Sequence, residues 1–187
     1  MPTVDLPIRT QRLVLRDFCP RDLPALVRVQ THPCLRDAPD WDDRDEAGVA
    51  RFLDAALAEQ RESPRVSYEL AVTTHDGDGC LVGSCWVGLL RHRVRTAGIG
   101  YMIDPVRWGN GYATEVTRAL LRAGFDQLGL HRIRGLCVVA NAASARVMEK
   151  AGMRREARLV RTEHVRGQWH DEYQYALTRE EWEQQAV

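Results

Sequence analysis

The stretch Tyr101-Met102-Ile103-Asp104-Pro105-Val106-Arg107-Trp108-Gly109-Asn110-Gly111-Tyr112-Ala113-Thr114-Glu115 decides how the chain is read. A short apolar strand ends at Asp104-Pro105. A glycine-containing loop, Trp108 to Ala113, then opens directly into a helix. That helix is marked by Ala113, Val116, Leu120, Ala123 or Gly124, and Leu128, which recur at three- and four-residue steps. A strand, a glycine loop and a helix N-terminus in this order make an anion site. Glycine lets the backbone approach a ligand, and the first helical N–H groups are unpaired at the positive end of the dipole. The ligand this predicts is a phosphate or pyrophosphate. The loop lacks the Gly-Lys-Ser/Thr of a nucleotide-triphosphate loop and the third glycine of a dinucleotide fingerprint.

Outward from this stretch, strands and helices alternate. Ile8 to Phe18 alternates around Leu13, Leu15 and Phe18 and predicts a strand. Pro20 starts a helix carrying Leu23, Leu26, Val27 and Gln30, which ends at His32-Pro33. Cys34 to Glu46 is acidic and irregular, with Trp41 in its middle. A second helix is expected from Glu46 to Glu62, carrying Val49, Phe52, Leu53, Ala56 and Leu57. Strands follow at Ser67 to Thr74 and Cys80 to Leu89, joined by the hairpin turn Asp76-Gly77-Asp78-Gly79. The basic connection Arg91 to Arg95 leads to a strand from Ala97 to Ile103. After the long helix come a strand from Ile133 to Val139 and a short helix from Asn141 through Glu149. Gly152 ends that helix as a C-cap. Two strands, Arg154 to Val165 and Gln168 to Leu177, flank Arg166-Gly167, and Arg179 to Trp182 makes a final helical turn.

The 187 residues are expected to form one domain, 1–187, with a sizeable core. The formal net charge is zero, which argues against a general nucleic-acid binder. Five cysteines with no Cys-x-x-Cys argue against a disulfide framework or a structural zinc site, and they read as small buried hydrophobes. The six histidines show no zinc spacing, so no metal is expected. The N-terminus lacks an apolar signal-peptide core, and no run approaches a membrane span; a cytoplasmic protein without a membrane partner is expected.

Asn141 to Ser144 is a second candidate site, again just after a strand and at a helix start. Asn is a preferred N-cap, and that duty accounts for Asn141. Ser144 falls at the third helical residue, where a hydroxyl has no obvious capping role. No His and Asp are placed by the sequence to make it a triad nucleophile, and hydrogen bonding to a leaving group suits it better.

Several motifs, in order, resemble the GCN5-related N-acetyltransferase (GNAT) superfamily, and within it the RimJ/RimL type of ribosomal-protein N-terminal acetyltransferase. They are Thr10-Gln11-Arg12-Leu13-Val14-Leu15-Arg16, Gly98-Ile99-Gly100-Tyr101, Trp108 to Glu115, and Leu130-His131-Arg132-Ile133. Asn141 to Ser144, Glu149 to Glu156 and Gly167 to Tyr173 complete the series. The resemblance implies an α/β (α+β) fold: a mixed, mostly antiparallel twisted sheet of about seven strands, with splayed fourth and fifth strands and flanking helices. It implies acetyl-CoA as cosubstrate, lying in the wedge between those strands. Its pantetheine arm is expected beside Tyr101, Met102 and Ile103. Its pyrophosphate is expected on N–H groups of Trp108, Gly109, Asn110, Gly111, Tyr112 and Ala113, with Thr114 in the first turn. Asn141 would hold the pantetheine and Ser144 would lie near the thiol.

The implied reaction is direct attack by a primary amine, with the Met102 amide as oxyanion contact and Ser144 serving the leaving thiolate. The acceptor would be a protein N-terminus or a small molecule such as an amino sugar or antibiotic, and the enzyme a monomer or homodimer. Two positions depart from the pattern. Gly98 stands where many relatives have glutamate, and Met148 stands where others have a tyrosine acid. Glu69 and Asp171 are the alternative carboxylates. The missing base also leaves a non-catalytic acyl-CoA-binding module as the rival reading.

Overall fold

Apolar residues at every second position of the strands sort the sheet into two faces, each needing a helical cover. The computed structural model describes residues 2–35, 38–39, 41, 44–75, 79–91 and 95–185. Residues 36–37, 40 and 42–43 of the acidic stretch, the hairpin residues 76–78 and residues 92–94 of the basic connection lie outside them. The elements are β1 (Ile8–Arg9), β2 (Leu13–Asp17), α1 (Leu23–Gln30), α2 (Glu46–Glu59), β3 (Ser67–Thr74), β4 (Leu81–Arg91) and β5 (Thr96–Ile103). They continue with α3 (Tyr112–Arg122), β6 (Arg132–Val138), α4 (Ala142–Lys150), β7 (Arg154–Val165), β8 (Gln168–Thr178) and α5 (Arg179–Gln185). Among the described residues no helix is long and apolar enough to cross a membrane.

The described strands form one eight-stranded sheet in the order β1-β2-β3-β4-β5-β6-β8-β7. Every neighbouring pair is antiparallel except β5 and β6, which are parallel. The parallel pair requires a crossover, and α3 supplies it. Tyr68, Leu70 and Val72 of β3, with Cys85 and Val87 of β4, pack under Val116, Leu120 and Leu121 of α3. On the other face Ala71 and Leu81 pack with Leu26 and Val29 of α1 and Val49 and Leu53 of α2.

The first apolar run divides into β1 and β2, which takes the sheet to eight strands. The Thr10 amide donates to the Leu13 carbonyl at 2.9 Å, and the Thr10 hydroxyl bonds the same residue, folding the run back on itself. The long helix changes after Arg122: Ala123–Gln127 form a π-helical turn that brings Gly124 against Ile133 of β6. α2 stops at Glu59, three residues short of the expected Glu62, and the final helical turn is a seven-residue helix.

Two features hold the site's frame. The Asp104 carboxylate at the end of β5 is buried and pairs with Arg28 of α1 at 2.5 Å, while also accepting from the Val106 amide. Arg118 of α3 donates to the Lys150 carbonyl at 2.6 Å, tying α3 to the last turn of α4.

Arg28→Ala is expected to destabilise the fold by about 2–4 kcal/mol, because it leaves the buried Asp104 carboxylate without its cation. Chemical denaturation of the two proteins checks this, and an unchanged midpoint refutes it.

Candidate active site

The site begins with a ladder that stops. β5 and β6 pair at Thr96↔Arg132, Ala97↔Ile133 and Gly98↔Arg134, and no pair follows. β4 continues to hold the other edge of β5 to Ile103, and β8 continues to hold β6 to Val138. The two strands therefore part after Gly98. The opening is a cleft lined by Ile99, Gly100 and Tyr101 of β5, Thr117 of α3, Gly135 and Leu136 of β6, and Ser144 and Met148 of α4.

Strand geometry says which backbone groups face the cleft, because N–H and C=O of one residue point to the same side and alternate along the strand. The Asp104 amide donates to Val82 of β4 at 2.8 Å, and the Met102 carbonyl oxygen would stand 2.1 Å from a Cβ placed on Gly83 of β4. Gly98, Gly100 and Met102 thus turn their backbone groups to β4. Ile99, Tyr101 and Ile103 turn theirs into the cleft. This corrects the expectation for Met102: its amide faces β4 within the sheet, and the residues whose backbone turns toward the cleft are Ile99 and Tyr101. The Met102 side chain packs against the α1–α2 cluster.

The glycine loop lies at the outer end of β5. The Trp108 indole N–H donates to the Ile103 carbonyl at 2.7 Å, stitching the loop to the strand while most of the ring stays exposed. Asn110 donates back to the Arg107 and Trp108 carbonyls. Gly111 is the N-cap of α3 with φ 79°, a left-handed conformation that favours glycine. No side chain caps this helix, so the amides of Tyr112, Ala113 and Thr114 point into the loop's concavity.

Arg12, quoted above only as part of a motif, proves to be structural to this loop. Its guanidinium donates to the Asn110 carbonyl at 2.8 Å, pairs with Glu115 at 2.7 Å and covers the Tyr112 ring. Burial alone would push the Glu115 carboxyl up. The Thr10 hydroxyl, the Arg12 amide and the Arg12 guanidinium outweigh it and hold the group below the usual glutamate range.

Across the cleft, Asn141 caps α4 by accepting the Ser144 amide at 2.9 Å. The Ser144 hydroxyl bonds the Tyr101 hydroxyl at 2.9 Å, so the two sequence candidates meet inside the cleft. Met148 stands one turn further along α4, with its sulfur against Gly135.

The other face of β5 explains Gly98. A Cβ at Gly98 would lie 2.7 Å from the Trp86 indole, and one at Gly100 only 2.2 Å from its Nε1. The indole lies across both glycines and fills the place where a side chain at Gly98 would stand. Alternating glycines opposite a tryptophan were the sequence signal for this, and it is easily missed. Directly across β4 from Gly100 is Trp86, and across β3 from Trp86 is Glu69. Burial, together with the nearby Glu59 carboxylate, pushes the Glu69 carboxyl up to about 8, against an opposing pull from Arg44.

Asp171, the other carboxylate considered, is tied to Arg158 at 2.8 Å and to the Arg161 amide on the β7–β8 hairpin, so it serves that hairpin. Cys85 and Cys137 are buried as expected, whereas Cys34 and Cys80 are exposed. Among the described residues no group of His, Cys, Asp or Glu could hold a metal ion.

The sequence profile of the acetyltransferase (GNAT) domain matches residues 12–154. The uncharacterized N-acetyltransferase YnaD of Bacillus subtilis is 32% identical over 176 residues, covering 94% of this chain and 98% of that protein. A GNAT-family acetyltransferase structure from Bacillus anthracis superposes with a TM-score of 0.80 at 28% identity, covering 94% and 99% of the two chains. The structure of Mycobacterium smegmatis RimJ in complex with CoA-disulfide superposes with a TM-score of 0.80 at 26% identity, covering 96% and 89%.

The raised Glu69 carboxyl makes a stability prediction. Its proton is held more tightly in the folded chain than in the unfolded one, so its stabilising contribution is complete below about pH 4.5 and disappears as pH rises to about 8. Glu69→Gln should therefore raise Tm by about 3–6 °C at pH 9 and leave it nearly unchanged at pH 4. Thermal unfolding at the two pH values checks this; a gain of equal size at both would refute the buried titration.

Proposed function

Because the chain belongs to the GNAT acetyltransferase family, whose members are acetyl-CoA-dependent N-acetyltransferases, we propose that it acetylates a primary amine through the β5–β6 cleft. We further propose that it is of the RimJ/RimL type and acts in the cytoplasm as a monomer or homodimer on a protein N-terminal α-amine. A small-molecule amine is the alternative acceptor. The α-amine is favoured because its pKa of about 8 demands less of a base than the 10.4 of a lysine side chain. The single observation that carries the reading is the open β5–β6 edge running into an uncapped helix N-terminus.

The residues present suit acetyl-CoA. Cleft-facing backbone groups of Ile99 and Tyr101 offer a strand edge on which an extended amide chain can pair. The amides from Gly109 to Thr114, at the positive end of α3, suit a pyrophosphate. Acetyl-CoA supplies the thioester that the amine attacks. The cleft-facing backbone of Ile99 and Tyr101 would lie nearest to the carbonyl oxygen as it gathers charge. The Tyr101–Ser144 hydroxyl pair donates a proton toward the departing sulfur. Asn141 fixes Ser144 by capping its helix, and in this reading it also holds the pantetheine.

Gly111→Glu should weaken acetyl-CoA binding by about 100-fold or more, because a carboxylate would stand where a pyrophosphate binds. Calorimetry that finds unchanged affinity would remove the loop from the site. Ser144→Ala should lower kcat by ~10–100-fold while acetyl-CoA affinity changes little. The readout is thiol release across a panel of peptide and small-molecule amines, and an unchanged kcat would exclude Ser144 from the reaction.

A further inference from the structure

The acetyl-transfer reading leaves one step without a residue. An acceptor ammonium must lose a proton before it can attack, yet β5 carries glycine at position 98 and Trp86 covers the space above it. The replacement lies in the same row of the sheet. The register Glu69↔Trp86↔Gly100 runs straight across three strands. Residues directly opposite in an antiparallel sheet point to the same face, so Glu69 and the indole share the α1–α2 face, above the strand that borders the cleft. Two strand spacings, about 10 Å, separate the Glu69 and Gly100 backbones. The Trp86 indole lies between the two, and a cation resting on it would gain from the ring face. Among the described residues no hydrogen bond or ion pair engages the Glu69 carboxylate, whereas Asp22, Asp104, Glu115 and Asp171 are all paired. The Glu69 amide donates to the Glu59 carboxylate of α2 at 3.2 Å, which fixes a second negative group behind it.

We propose that Glu69 is the catalytic base for this chain's acceptor, with the Trp86 indole as the floor on which the amine is held between Glu69 and the cleft. This rests on the acetyl-transfer reading above. Glu69 takes one proton from the ammonium. The freed nitrogen lone pair forms the C–N bond, and the C–S bond breaks with its electron pair going to sulfur. The Tyr101–Ser144 pair delivers a proton to sulfur, the nitrogen's second proton passes through solvent to restore that pair, and the first leaves Glu69 for solvent. The charged and titratable groups around Glu69 are Glu59 on α2, Arg44 ahead of α2 and Cys85 on β4. Burial and Glu59 hold the carboxyl at about 8, so the group takes up and releases protons near neutral pH.

The test uses the full chain and its Glu69→Gln variant with ethylamine, which is cationic at neutral pH, and 2,2,2-trifluoroethylamine, which is largely neutral there. Acetyl-CoA affinity by calorimetry should be the same for both proteins. Thiol release with ethylamine should fall by ~100-fold in the variant, while that with trifluoroethylamine should change by less than about threefold. Glu69→Asp should recover part of the ethylamine rate. Independently of turnover, carbon-13 NMR of the Glu69 carboxyl should show its titration midpoint falling by about half a pH unit when ethylamine is added. Equal losses with the two amines, no loss with ethylamine, or a midpoint unmoved by ethylamine would overturn the assignment. Acetyl-CoA binding without thiol release from either amine would also overturn it. Absence of acetyl-CoA binding by the unaltered chain would instead overturn the reading on which it rests.

Discussion

The parting of β5 from β6 after three paired residues is the constraint on which the rest depends. Ending a ladder inside a sheet gives up backbone hydrogen bonds between the two strands, which is costly, so such a parting persists only where the surrounding frame enforces it. Each flanking element serves to hold the two strands apart and in place. β4 and β8 grip their outer edges, the Arg28–Asp104 pair anchors the end of β5, and the Arg118–Lys150 bond fixes α3 against α4. The π turn after α3 allows close packing of Gly124 on Ile133 just where the parallel pairing is still intact. The opening is thus a property of the whole frame rather than of the residues lining it.

Much of this was legible in the sequence because the relevant signals are local. The glycine loop, the three- and four-residue steps of α3 and the Asn cap of α4 are each readable within a dozen residues, and each stands where expected. What could not be read is what depends on register. Sequence alone points to the Met102 amide as a cleft group, yet a strand exposes alternate residues to each neighbour, and the phase is set by pairing with β4, which precedes it in the chain. The division of the first apolar run likewise depends on the Thr10 bonds to Leu13 and Glu115, the second of which comes from 105 residues along the chain.

Gly98 illustrates the difference most clearly. From sequence it is a missing carboxylate. In the fold it is half of a bed for Trp86, with Gly100 the other half. Side chain and backbone have exchanged places: bulk that would have projected from β5 comes instead from β4. A substitution that looks like loss at one position becomes a rearrangement once the neighbouring strand is included. Directly opposite Trp86, one strand further on, stands the carboxylate of Glu69.

The proposed pyrophosphate site in the glycine loop does not require a basic chain, and the net charge here is zero. The obvious cation, Arg12, is committed to Glu115, to the Asn110 carbonyl and to the Tyr112 ring. It shapes the loop and lends little free charge to a ligand, since Glu115 neutralises it at close range. In the proposed reading, attraction for a pyrophosphate would fall mainly to oriented amides and the α3 dipole, whose partial charges are fixed in direction. Recognition of that kind depends on backbone geometry more than on side-chain charge. A loop built this way tolerates a neutral or even acidic surface around it, but not a side chain that alters the left-handed turn at Gly111.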